Sequence, residues 1–283
     1  SFGTGSSFGN FTYNSATSTG TFSAFTTGTT TIIKGDLNII NTNTGRFRAL
    51  TSGTLTVQGN LNVSGGNFEV ASSTGTLIVN GNVNASGGTF DVAQGGTSTL
   101  RVLGNFVQSG TSSIIQTSTG SIEFAGTVAQ DLTLLTGAHG TNAVNVRVNN
   151  AAGVNLTADM SIRNLTVSNG GVTGAGNLVY GATSVLTYNS TTAAQTISAK
   201  EFPSTAGPAS LTINNTTASP NNTVTLGFAR SLGATGTLTL TSGILDNGTN
   251  ALSILNPAVA AVSGGSATTY VKGDLSRDLT SGL

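Results

Sequence analysis

The sequence has no cysteine and no tryptophan, one histidine, one methionine, four prolines, and only ten basic and ten acidic residues in 283. Without cysteine there are no disulfides and no thiolate metal sites, although a long repetitive core needs no staple, so the compartment is left open. A single histidine, His139, rules out a zinc site built on several histidines, and its place in a Gly-rich stretch reads as a loop residue and not as the base of a Ser-His-Asp triad. Charged residues make up 7% of the chain, where an ordinary globular domain has about 25%. Its surface must therefore be built from Thr, Ser, Asn and Gly. The two charge signs cancel and neither is clustered, so the broad positive field that nucleic acid requires is missing. No apolar run is long enough to span a membrane as a helix; the longest is residues 258–262. Segments with apolar residues at helical spacing are absent too, and the 39 glycines would each cost a helix interior about 1 kcal/mol.

What the chain does contain is one unit written twice. GTLTVQGNLNVSGGNFEVA at 53–71 is followed by GTLIVNGNVNASGGTFDVA at 75–93, a spacing of 22 residues. A fixed period in this range marks a stacked repeat whose units bury their apolar faces against one another. Gly35, Gly59, Gly81, Gly104 and Gly126 each stand two residues after an apolar residue, at separations of 24, 22, 23 and 22. The reading is an all-β fold, a right-handed parallel β-helix (β-solenoid) of about 22 residues per rung, with its hand taken from the rule for parallel crossovers. About 12 rungs at about 4.8 Å predict a rod about 60 Å long.

Three columns follow from the register. Asp36, Asn60, Asn82 and Asn105, continued by Thr127, are expected to form a structural ladder with amides bonding along the stack. Leu37, Leu61, Val83, Phe106 and Val128 are expected in the core. Phe22, Phe47, Phe68 and Phe90 are expected to form an interior aromatic stack.

The chain divides into residues 1–29, an irregular aromatic-rich first turn or cap; 30–129, regular 22-residue rungs; and 130–283, the same solenoid with a longer super-repeat. In that repeat Gln130 is followed 65 residues later by Gln195, and Asn149 by Asn214, with a later slip to 72. Insertions at corners cost little entropy. Two protruding loops are expected on one flank, at 136–142 and 198–209.

Segments such as GTLTLTSGIL at 236–245, NALSI at 250–254 and VSGGSATTYVKGDLSR at 262–277 resemble the giant secreted surface repeat proteins of gliding and related Gram-negative bacteria exported by the type IX route. The likeness is best from about residue 120 onward. It implies an extracellular, cell-surface location and an adhesive or filament-like role. That family's C-terminal sorting domain is not visible here, and the chain reads as a processed form or a piece of something longer.

Candidate chemistry is sparse. Glu69 and Asp91 are equivalent residues one rung apart, which would place two carboxylates roughly 5 Å apart, a separation used by retaining glycosidases. Arg48 shares their column, and Arg, Glu and Asp in a row read more simply as an exposed charge ladder of about 0–1 kcal/mol per pair. The other acids have no calcium-loop spacing. The glycines at 170–176 precede a strand where a phosphate-binding loop would need a helix. Thr-x-Thr tracts are the pattern of ice-binding faces, but Thr56 gives way to Ile78 and Arg101 on successive rungs. These residues lead to a non-catalytic structural stalk or filament segment without cofactor or metal. Its partners would be further repeats of the same chain or other copies end to end, and surface polysaccharide. The alternative is a polysaccharide-binding or polysaccharide-cleaving β-helix with the loops as its site.

Overall fold

Alternation decides which side of each strand faces inward. In Gly53–Val57, Leu55 and Val57 are buried while Thr54 and Thr56 stay half-exposed, the period-two pattern of a strand with one wet face. In the computed structural model, which describes Phe2 and residues 5–25, 31–135 and 144–278, these strands coil into a parallel β-solenoid of about 11 turns.

Four parallel sheets line its sides. A long sheet of 12 strands runs from Ser7–Phe8 to Val262–Gly264, and a second sheet of eight from Phe11–Asn14 to Val172–Gly174. A third holds five strands, from Thr21–Phe25 to Ser113–Ile115. A C-terminal sheet starts at Gln195–Ile197 and ends on Val271–Arg277. No α-helix occurs among the described residues; a 3-10 turn covers Val259–Ala261. Within the rungs, Leu55, Leu77, Leu100 and Ile122 stack in one interior column of the long sheet, all fully buried. Each such side chain is worth about 1.5–3 kcal/mol of burial.

The glycine column has a steric cause. Gly59, Gly81 and Gly104 each donate a backbone hydrogen bond to the glycine carbonyl one rung back, at 3.0, 2.9 and 3.2 Å. A Cβ at Gly81 would lie 2.6 Å from the Gly59 carbonyl oxygen and 2.6 Å from Asn60 Oδ1. Only glycine lets successive corners close at the strand spacing.

Ser7–Phe8, Phe11–Asn14 and Thr21–Phe25 pair parallel with the next rung in three sheets, with a register shift between Tyr13 and Asn14. One expectation is corrected. The core column does not continue from Phe106 to Val128, which is 68% exposed; Phe106 pairs with the buried Leu132. Residues 126–129 bulge at the corner, and Gln130 Oε1 holds the bulge by accepting from Gly126 N at 2.8 Å. Of the two expected loops, 136–142 and His139 within it lie outside the described residues.

Candidate functional site

The corner column is wired from side chain to backbone. Asp36 N donates to Asn10 Oδ1, Asn60 N to Asp36 Oδ1, Asn82 N to Asn60 Oδ1, Asn105 N to Asn82 Oδ1 and Asp131 N to Asn105 Oδ1, at 2.7–2.9 Å. Each carboxyl or amide oxygen thus satisfies a corner N–H of the next rung, and Asp131 continues the column where Thr127 was expected. Amide-to-amide bonding occurs two residues further on: Asn62 Nδ2 donates to Asn38 Oδ1 and Asn84 Nδ2 to Asn62 Oδ1, both at 2.8 Å. The sequence offered a signal for this second ladder in the repeated G-N-x-N of 59–62 and 81–84.

Phe22, Phe47, Phe68 and Phe90 occupy one register, with successive ring centroids 5.8, 6.2 and 4.7 Å apart. Phe47, Phe68 and Phe90 are buried, while Phe22 is partly exposed and joins a cluster with Phe2, Phe11 and Tyr13.

Arg48, Glu69 and Asp91 do share a column on the third sheet, but not as an exposed ladder. Glu69 is 0% and Asp91 2% exposed. Two arginines close over Glu69, with Arg46 Nη1 3.2 Å from Oε2 and Arg48 Nε 3.1 Å from Oε1. Asp91 is left with one acceptor bond, from Ala93 N at 3.1 Å, and a buried Oδ2 without a partner. Burial pushes its carboxyl up to about 6; the Ala93 bond pulls it down, Glu69 pushes it further up and Arg46 again lowers it. The two carboxylates therefore lie side by side, closed off from a bulky substrate. Among the described residues no cluster of three or more His, Cys, Asp or Glu is placed to hold a metal.

The super-repeat marks two equivalent corners. Gln130 Nε2 donates to the Val102 carbonyl at 3.0 Å and Gln195 Nε2 to the Val167 carbonyl at 2.8 Å. Asn150 Nδ2 reaches the Val128 carbonyl at 2.7 Å, and Asn215 Nδ2 the Ala193 carbonyl at 2.9 Å. Each asparagine also accepts from the backbone N–H two residues on. These side chains satisfy backbone groups that the corner insertions leave unpaired.

Glu201 is a buried plug, 1% exposed. It sits where the second sheet stops at Val172–Gly174 and the C-terminal sheet begins at Gln195–Ile197. Its Oε1 accepts from Val172 N at 2.8 Å, and Oε2 from Tyr188 Oη at 2.6 Å and Ser198 N at 2.9 Å. Ser198 Oγ accepts in return from Glu201 N at 3.2 Å, the reciprocal pattern of a capping box. The S-x-x-E spacing at 198–201 was the available signal. Burial, then the Glu201 charge, raises the Tyr180 and Tyr188 hydroxyls well above their ordinary range, keeping both as donors. The carboxylate caps the edge of the second sheet where no strand follows.

On the outer face of the long sheet, Thr56, Ile78, Arg101, Glu123 and Arg147 stand in one column, which then becomes Thr166, Thr187, Thr212, Thr239 and Ser263. This hydroxyl run escapes a fixed-period reading because its steps are 21, 25, 27 and 24 residues. No protein-family model matches the chain, and no match appears among curated proteins or solved structures.

Proposed function

We propose that this chain is a structural stalk or filament segment of an extracellular cell-surface protein, adhesive in role and without catalysis. The observation that supports it is the unbroken long sheet: 12 parallel strands carry one hydrophobic core from the first rung to the last. At about 4.8 Å per step this sheet is a rod about 50 Å long. Backbone ladders, corner side chains and stacked apolar columns all connect neighbouring rungs, so load along the rod is shared by many hydrogen bonds. Further repeats or further copies extend it in the same way. Charged residues are only 7% of the chain, so the exterior is mainly a Thr, Ser and Asn surface, with Lys272 paired to the half-buried Asp246 at 2.9 Å.

Lys34 and Lys272 are exposed and give a direct test of location. An amine-reactive reagent that does not cross membranes, applied to intact cells that make the protein, is expected to modify both lysines. Modification appearing only after the cells are broken would overturn the proposal.

A further inference from the structure

Residues 203–209 run where a strand would complete the third side of rung nine, and only one backbone bond, from Tyr180 N to the Ala206 carbonyl at 3.0 Å, ties them to the rung before. Two hollows flank this loop. One, of about 530 Å³, lies against Tyr180, Gly207 and Gly233; the other, of about 230 Å³, lies against Arg230, Ala251 and Ser253. They meet at Pro203, Ser204 and Ser231, which line both, and no Asp or Glu lines either.

Arg230 is the cation of this groove, and its guanidinium is held from three directions. Nε donates to the Phe202 carbonyl, Nη1 donates to the Ala229 carbonyl at 2.8 Å, and the group lies 5.1 Å over the ring of Phe228. Nη2 has no acceptor, and no carboxylate lies within ion-pair distance of the group, among the described residues. Phe228 is 48% exposed. Ser204 and Ser231 are exposed, and Ser253 and Ser276 extend the hydroxyl line, with Ser276 Oγ donating to Ser253 Oγ at 2.8 Å.

We propose that this groove binds a carboxylate-bearing glycan, one built from uronic acid units. A fixed guanidinium without a counter-ion fits a planar carboxylate through paired N–H donors. Serine hydroxyls both donate and accept, as sugar hydroxyls do. Pro203, which lines both hollows, offers the apolar side of a sugar ring a surface to lie on. Because Arg230 is already positioned by Phe202, Ala229 and Phe228, little side-chain freedom is lost on binding. This hydroxyl-rich lining favours a glycan over an acidic peptide.

Titration calorimetry and heteronuclear NMR of the whole chain with tetragalacturonate test this, with cellotetraose, a sulfated carrageenan tetrasaccharide and tetra-aspartate as comparisons. Tetragalacturonate is expected to bind with shifts centred on Ser204, Ser231 and Ser253, and to weaken as salt rises. Arg230→Gln and Ser231→Asp are each expected to lower its affinity at least tenfold. The Ser231 side chain is exposed and makes no hydrogen bond, its ties to the sheet being those of the backbone, so Ser231→Asp keeps the melting temperature and separates lost binding from lost folding. Equal or tighter binding of any comparison ligand, no binding of tetragalacturonate, or unchanged affinity in Ser231→Asp would each overturn the assignment.

Discussion

Asp91 is the residue at which charge and folding conflict. Its carboxyl titrates at about 6 in the folded chain against an ordinary 3.8, so the folded state holds more protons than the unfolded state between those values. The stability this contributes is complete below about pH 4 and is lost as pH rises through about 6. Asp91→Asn keeps the oxygen that accepts from Ala93 N and replaces the buried, unpartnered Oδ2 with a neutral N–H₂ group. It is expected to stabilise the chain at pH 7.5 by about 1–3 kcal/mol, from the 1.36 kcal/mol that each pH unit represents. Wild type and variant should converge near pH 4 in thermal melts; a constant offset at every pH would refute this. Glu69→Gln acts in the opposite direction, because it removes the carboxylate that Arg46 and Arg48 both contact. Breaking a fully buried pair costs about 3–5 kcal/mol, and with these arginines 30% and 19% exposed about 2 kcal/mol is expected. Chemical denaturation measures it.

The corner is the element that makes one rung continue into the next. At Asn82 the side-chain oxygen takes the N–H of Asn105, and Asp36 does the same for Asn60 two steps earlier in the column. Asn82→Ala is therefore expected to cost about 1 kcal/mol, the net worth of one such bond together with the N–H it strands. Asn82→Asp keeps the acceptor and should cost less than half of that, as read from urea midpoints. Equal losses in the two variants would mean that the oxygen is not what matters. Gly81→Ala places a methyl group 2.6 Å from the Gly59 carbonyl and is expected to be the more damaging corner change, because backbone must move to admit it. The Glu201 plug shows the same requirement where the stack is interrupted: the edge of the second sheet needs an acceptor, and a carboxylate supplies it.

In the regular rungs of the molecule, strand pairing joins each rung to the ones directly before and after it, so a complete rung can be removed there without exposing new core. Deleting residues 59–80 joins Gln58 to Gly81 and brings Asp91 into the place Glu69 held above Arg48. The shortened chain is expected to keep a cooperative melt and the same circular dichroism per residue, with a rod about 4.8 Å shorter in solution scattering. Loss of the β signal would contradict stacking as the source of stability. Copies are expected to associate end to end through the half-buried aromatics Phe2, Phe8, Phe11 and Tyr13. A contact between unlike ends grows without closing. Sedimentation over a wide concentration range should show growth that Phe8→Ser with Phe11→Ser abolishes; a monomer at every concentration would leave only the stalk.

The period, the parallel class and the columns through residues 33–106 were readable without coordinates. Strands one rung apart use the same residue types, and a spacing of 22 to 24 leaves one register. Gly59 and Gly81, or Phe68 and Phe90, are equivalent in text and in space for that reason. From residue 107 onward the corners take insertions of different lengths, so equal spacing no longer means equal position. Leu132 replaced Val128, and the hydroxyl column from Thr166 to Ser263 went unseen. Burial of Glu69 and Asp91 was out of reach for another reason: it depends on where Arg46 and Arg48 direct their side chains, which folding determines and periodicity does not. Glu201 likewise looks isolated in the chain, and becomes a plug only where two sheets fail to meet.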